Sequence, residues 1–361
     1  MEGRFLKREP GFQVAPRSEP RPMSSKTMQG GLLGIVLVAG LLGCARQETG
    51  WKDRSKHYVQ FVTVDKDVQL EVLDWGGVGR PVVLLAGFGN SAHVFDEFAE
   101  KLKETNHVYG ITRRGFGSSS HPTSGYDVQR LALDILSVLD ALNIKSPVLA
   151  GHSYAGNEMT MLGGRSDRIA GLVFMDALID PTYDWSERNA VQGRFPAERF
   201  PTPHVPDGET NPSFEEYLAW QRVGRKDPLP ESEIHATWET TPNGRMGMPR
   251  TTTGVRAAIT AGTPKPQYSS ISIPSLAFVA YPIAVEEQLK DYEIKTADER
   301  KAVEDLYAAD QKYLKEFTEN FERNVPDARL LRMVGARHYI FISNESDVLY
   351  EMRRFMGRLP E

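Results

Sequence analysis

From residue 81 onward, short unbroken apolar runs alternate with stretches whose apolar positions recur every three or four residues. Residues 81–86 (Pro-Val-Val-Leu-Leu-Ala) are a run of the first kind, and 169–175 and 274–281 are nearly so, as expected of strands covered on both faces; 107–112, 147–152 and 329–334 read as further strands, each with a polar residue among its apolar ones. Between them, Val94, Phe95, Phe98, Ala99 and Leu102, and then Val128, Leu131, Ile135, Val138, Leu139 and Leu142, line single helical faces within 93–104 and 128–142. Residues 157–163 and 347–355 read as further helices. Within the charge-rich stretch 286–323, Val303, Leu306, Tyr307, Asp310, Tyr313, Leu314, Phe317 and Phe321 predict long amphipathic helices. Ahead of this rhythm, 58–64 and 68–75 are β-rich runs flanking Asp65-Lys66-Asp67, a hairpin pattern. Strand and helix in alternation predict an α/β fold, with a mostly parallel central sheet and helices on both faces.

Composition narrows the functional classes. With 40% hydrophobic and 25% charged residues, the 361-residue chain is globular in character. Its formal charge of −5 and pI near 6.0 give no basic excess for a nucleic-acid partner. Cys44 is the single cysteine, which excludes an internal disulfide framework and a Cys-rich metal site. The eight histidines are scattered without metal-ligand spacing, so neither metal nor cofactor is expected.

Two glycine-rich turns follow buried strands. The first is Gly87-Phe88-Gly89-Asn90-Ser91, whose free backbone amides suit an anion or oxyanion. The second is Gly151-His152-Ser153-Tyr154-Ala155-Gly156, a strand-to-helix turn in which small residues surround a serine. A hydroxyl at the tip of such a turn projects beyond the carboxyl end of the sheet, making Ser153 a candidate nucleophile. Ala155 stands where the Gly-x-Ser-x-Gly pattern has its last glycine, and Gly156 follows.

These turns, with Arg114-Gly115-Phe116-Gly117-Ser118 and the late Gly335-Ala336-Arg337-His338, occur in an order that resembles the α/β-hydrolase superfamily from about residue 58 to 357. Ala86 departs from the histidine frequent before the first glycine in that family. The resemblance implies a hydrolase core over 58–180 and 273–361, with a cap or lid inserted at 181–272. That insertion carries Tyr183, Trp185, Phe195, Phe200, Trp220, Trp238, Met246 and Met248, a set able to line an apolar pocket or to pack the cap's own core.

A serine needs a base, and the base an orienting group. His338 follows a strand end and a glycine, late in the chain, where the family's order of nucleophile, acid and histidine places the base. His152, inside the serine turn, is expected to point away from the site. For the acid two readings stand. Asp176 ends the strand after the serine turn, an alternative acid position in the family, whereas Glu286 and Glu287 follow the next strand, whose end lacks an aspartate. The resemblance implies an oxyanion hole from the backbone N–H groups of Phe88 and Tyr154. Arg113 and Arg114 are expected to brace loops, and Glu158 to complement the amino end of the helix after Ser153.

The amino end reads as an address. Residues 1–30 lack periodicity, whereas 31–43 form an uncharged apolar run, shorter than the roughly 20 residues that span a bilayer. It ends in Leu41-Leu42-Gly43-Cys44-Ala45, which resembles a bacterial lipoprotein signal. That resemblance implies cleavage of residues 1–43 and lipid attachment at Cys44. Residues 44–57 would then tether an extracytoplasmic, membrane-anchored domain in the bacterial cell envelope. Met23 and Met28 are alternative starts, and from Met23 the residue Lys26 would be the positive region.

The expected activity is a carboxylesterase-like serine hydrolase acting on small carboxylic esters through an acyl-enzyme. An amidase, peptidase or carbon-carbon bond hydrolase could use the same residues, and a non-catalytic binding module on a hydrolase scaffold is the reading from another class. A serine at 153 argues against chemistry that needs a carboxylate nucleophile.

Overall fold

In the computed structural model, residues 51–165, 167–191, 194–197, 211–225 and 227–360 are described. Cys44 and the signal-like run before it lie outside them. The described chain opens with β1 (Tyr58–Asp65) and β2 (Val68–Gly76), an antiparallel hairpin whose turn uses Asp67 at φ 59°. Aspartate is among the few side chains that tolerate this left-handed backbone.

Strand and helix then alternate through β3 (Pro81–Leu85), α1 (Asp96–Leu102), β4 (His107–Ile111), α2 (Val128–Ala141), β5 (Val148–His152), α3 (Ala155–Leu162) and β6 (Gly171–Met175). The segment after β6 carries α4 (Ser186–Asn189), α5 (Phe214–Gly224), α6 (Glu231–Thr237), the short strands β7 (Trp238–Thr240) and β8 (Met246–Pro249), and α7 (Thr253–Ala261). The chain finishes with β9 (Ser275–Tyr281), α8 (Val285–Gln288), α9 (Ala297–Asn324), β10 (Arg329–Val334), α10 (Ile340–Ser343) and α11 (Glu345–Met356).

The main sheet has eight strands in the order β1-β2-β4-β3-β5-β6-β9-β10. β2 runs antiparallel to β1 and β4, and every pairing from β4 to β10 is parallel. All five residues of β5 and of β6 are buried, which explains the apolar run of β6 and the apolar and small residues of β5 ahead of His152. On one face Leu149, Phe174 and Ala277 pack with Ile135 and Leu139 of α2, Met159 of α3 and Phe321 of α9. On the other, Ala150, Val173 and Phe278 pack with Phe98 of α1, Phe341 of α10 and Met352 of α11. The strand ends that carry function are thereby held from both sides.

Two elements differ from the sequence pattern. The helix expected from residue 93 begins as a 3₁₀ turn at Ala92–Phe95, because the Ser91 hydroxyl accepts the His93 N–H and caps the turn; α1 starts only at Asp96. The helical stretch expected from 286 is one short helix and then α9, restarted by a capping box in which Thr296 and Glu299 satisfy each other's backbone N–H groups.

Among the aromatic and thioether side chains of 181–272, Trp220, Trp238 and Met246 join Phe214, Tyr217, Leu218 and Ile234 in a small core. Tyr183 and Trp185 stack edge-on against Phe317 and Tyr313 of α9, and Phe195 against Tyr292. Met248 is exposed. Phe200 lies outside the described residues.

Candidate active site

Ser153 leaves β5 at φ 54°, a left-handed conformation that a serine rarely adopts. The strain is held by its surroundings. The Ser153 N–H donates to the Met175 carbonyl at 3.3 Å, and α3 begins immediately afterwards. The close approach this turn requires falls at Gly156, where a Cβ would stand 1.9 Å from the Ala177 carbonyl oxygen. Ala155 lies instead over Gly151, and its methyl group is accommodated. This is why an alanine at 155 fits the turn.

Beside the serine runs the first glycine loop. A Cβ at Gly87 would be 2.7 Å from His152 Nδ1 and 3.0 Å from the Ser153 Cβ, so only a bare backbone passes here. Among the described residues, the N–H groups of Phe88 and Tyr154 have no hydrogen-bond partner. The loop is pinned from outside by the fully buried Glu233 of α6, whose carboxylate accepts from Asn90 Nδ2 at 2.8 Å and from the Ser91 backbone N–H at 3.2 Å. Burial pushes the Glu233 carboxyl up to about 7. Asn90 Oδ1 in turn accepts the Tyr339 hydroxyl.

Gly335, at φ 81°, turns the chain after β10 and brings His338 over the serine. His338 Nε2 is 3.0 Å from Ser153 Oγ, and Nδ1 is 2.7 Å from Asp176 Oδ2. Asp176 directly follows β6 at φ 49°, and its Oδ1 accepts the Ala280 N–H of β9 at 2.9 Å. A carboxylate on Nδ1 fixes that nitrogen as the donor and leaves Nε2 as the acceptor facing the hydroxyl. Asp176 is thus the carboxylate joined to His338. Glu287 pairs with Lys290 and reaches the same region only as part of a cavity of about 470 Å³. Asp176, Tyr313, Arg337 and His338 also line that cavity, which lies beside the Asp176–His338 pair.

His152 does not point away from this group. Its buried Nε2 donates to the His338 carbonyl oxygen at 3.0 Å, and its ring lies 4.5 Å from that of His338. Burial, with the neighbouring His338, holds its pKa well below the usual 6.5. It is neutral and buttresses the loop that presents His338. Nothing in the local sequence separates this role from an outward one, because the partner lies 186 residues away.

Arg113 and Glu158 form a buried pair, with Nη2 to Oε2 at 2.9 Å. The same guanidinium donates to the carbonyls of Ala86 at 2.9 Å and Gly87 at 3.3 Å. Glu158 lies in the first turn of α3 and also holds the arginine that braces the glycine loop. Arg114 pairs with Asp134 of α2 through two bonds of 2.6 and 2.7 Å. Both arginines face internal partners.

Residues 80–277 match the sequence model of the family described as the alpha/beta hydrolase fold. The chain belongs to this family. A putative non-heme chloroperoxidase of Synechocystis sp. is 34% identical over 102 residues, which are 27% of this chain and 37% of that protein. A bifunctional esterase/perhydrolase of Acinetobacter calcoaceticus is 30% identical over 122 residues, 33% of this chain and 44% of that protein. The matches thus span less than half the length of these curated relatives. In three dimensions the crystal structure of E-2-(acetamidomethylene)succinate hydrolase superposes with a TM-score of 0.60 at 17% identity, covering 83% of this chain and 99% of the other. That likeness places this chain in the same α/β-hydrolase fold.

Outside the Ser153 group, and against the expectation from spacing, Asp53, His57, His93 and Asp96 bring their donor atoms within 4.8 Å of one another. No two histidines in the sequence have ligand spacing, because the group is assembled by the fold from the stretch before β1 and the turn after β3.

Proposed function

We propose that the protein is a serine hydrolase cleaving small carboxylic esters through an acyl-enzyme on Ser153. The observation that carries this reading is the unbroken chain Ser153 Oγ, His338 and Asp176, at 3.0 and 2.7 Å, on the tip of a strained strand-to-helix turn. His338 Nε2 takes the hydroxyl proton as Ser153 attacks the ester carbonyl, and Asp176 stabilises the imidazolium that forms. The negative charge on the tetrahedral oxygen falls to the N–H groups of Phe88 and Tyr154. One such donor is worth on the order of 100-fold in rate or more. His338 then returns the proton to the leaving alcohol, and a water activated by the same nitrogen releases the acid. Family membership and the esterase named among the relatives support the reading.

A fluorophosphonate probe should label wild-type protein at Ser153 and leave Ser153→Ala untouched, and an activated ester should give an acylation burst only in the wild type. Full turnover in Ser153→Ala would sink the proposal. Anilide and diketone substrates, tested alongside, separate ester hydrolysis from amide or carbon-carbon cleavage.

We also propose lipid attachment at Cys44 and an extracytoplasmic, membrane-anchored location, on the apolar run and cysteine of the sequence alone. Metabolic labelling with palmitate, lost in Cys44→Ser, tests it. Among the described residues no helix is long and apolar enough to cross a membrane.

A further inference from the structure

Asp53 and His57 approach from the stretch before β1, His93 from the 3₁₀ turn that follows the Gly87–Ser91 loop, and Asp96 from the start of α1. At the centre is the Nδ1 nitrogen of His93, buried and without a hydrogen-bond partner. It lies 3.3 Å from Asp53 Oδ2 and 3.4 Å from Asp96 Oδ2, while His57 Nε2 lies 3.5 Å from the same Asp53 oxygen. A charged N–H···O bond would draw such atoms to about 2.7–2.9 Å. Ligands sharing a tetrahedral ion at about 2.0–2.1 Å are instead spaced about 3.3–3.4 Å apart. These three spacings are closer to the second arrangement than to the first.

The remaining atoms are set for the same purpose. His57 Nδ1 is 2.8 Å from Asp96 Oδ1, so its proton sits on that nitrogen and the lone pair on Nε2 faces the centre. On the far side of His93, Nε2 faces Glu71 Oε1 at 3.6 Å, the position from which a carboxylate commonly orients a ligating histidine. Asp96 is held by Trp75 Nε1 at 3.0 Å and by the hydroxyls of Ser55, at 3.1 Å, and Ser232. Three carboxylates, Asp53, Glu71 and Asp96, meet two imidazoles in a largely buried space, a surplus of negative over positive groups that suits a divalent cation. The Asp53 side chain is 27% exposed and leaves a path for entry.

We propose that Asp53 Oδ2, His57 Nε2, His93 Nδ1 and Asp96 Oδ2 form a structural site for a divalent transition-metal ion. Two imidazoles and two carboxylates without sulfur, three of their atom pairs at 3.3–3.5 Å and all within 4.8 Å, favour zinc. The ion would clamp the stretch before β1 to the turn that leaves the Gly87–Ser91 loop, and it supplies no group to Ser153. The proposal therefore stands whether or not Ser153 is the nucleophile.

The full chain, produced without a polyhistidine tag and stripped with a chelator, is loaded with zinc chloride or cobalt chloride and desalted. The expected result is one zinc per chain by plasma mass spectrometry, and with cobalt the intense visible band of a tetrahedral ion. Asp53→Asn combined with His57→Gln removes two ligands while leaving α1 and the sheet intact, and should lose both signals. His338→Ala should keep them, which excludes binding at the serine site. Zinc should also raise the thermal midpoint of the wild type and not that of the double variant. Should the double variant fail to fold, the wild-type cobalt spectrum decides. A wild-type chain that retains no zinc, a pale octahedral cobalt spectrum, or equal retention in a folded double variant overturns the proposal.

Discussion

Asp176 Oδ2 lies 2.7 Å from His338 Nδ1, and the other oxygen of the same carboxylate accepts the Ala280 N–H. One side chain therefore ties the end of β6 to both β9 and the loop after β10. Asp176→Asn preserves the shape but offers an N–H where an acceptor is required, so the imidazole is driven to the wrong tautomer. The expected loss in kcat is on the order of a thousandfold or more, with KM little changed. Glu286→Gln and Glu287→Gln should leave kcat within about twofold, since neither carboxylate is bonded to His338. Steady-state kinetics on an activated ester decides, and a larger loss at Glu287 than at Asp176 would reassign the acid.

Gly156 gives a packing prediction on the same turn. Its absent Cβ would fall 1.9 Å from a backbone oxygen that belongs to the chain just after Asp176. Gly156→Ala must push apart α3 and the Ala177 segment, at a cost of about 1–3 kcal/mol, and should shift Ser153 from His338. Ala155→Gly relieves nothing and loses only helix propensity, about 1 kcal/mol. Urea unfolding of both variants, with fluorophosphonate labelling rates, checks the order.

The parallel sheet, the serine turn and the strand-end placement of His338 and Asp176 were legible because each is written locally, in an apolar run or a glycine at a strand end. The order of the motifs then named the fold. What was not legible depends on contacts between distant positions. His152 lies beside the serine in sequence, yet its partner is the carbonyl of His338. The choice among Asp176, Glu286 and Glu287 turns on which loop end approaches Nδ1. Asp53, His57, His93 and Asp96 have no shared period, because a loop stretch, a 3₁₀ turn and the start of α1 bring them together. The aromatic residues of 181–272 looked alike as a list, and burial alone divided Trp220 and Trp238, packed with Phe214 and Tyr217, from the exposed Met248.

The buried Arg113–Glu158 pair should behave as a unit. Breaking it at one end leaves the other charge unpaired out of water, which typically costs 3–5 kcal/mol, whereas an apolar pair of similar volume avoids that penalty. Glu158→Leu alone is expected to destabilise by about that amount. Arg113→Met with Glu158→Leu should cost clearly less than the sum of the two single changes. The double variant also loses the bonds to the Ala86 and Gly87 carbonyls, so it should remain slower in acylation even where stability recovers. Additive unfolding energies would show that the two residues act independently.

His152 makes the fold sensitive to acid. In the folded chain burial keeps the imidazole neutral, with its pKa well below 6.5, while in the unfolded chain it takes a proton near 6.5. Below that pH the unfolded state binds more protons, so stability rises with pH and falls away as pH drops. Between pH 7.5 and 5.5 this single group should remove about 1.4 kcal/mol from the wild type. His152→Gln cannot titrate. It should be less stable than wild type at pH 7.5, by about 1–2 kcal/mol for the weakened bond to the His338 carbonyl. From there to pH 5.5 it should lose about 1.4 kcal/mol less than the wild type does. Urea titrations of both proteins at the two pH values measure the difference directly, and equal losses in wild type and variant would place the acid sensitivity elsewhere.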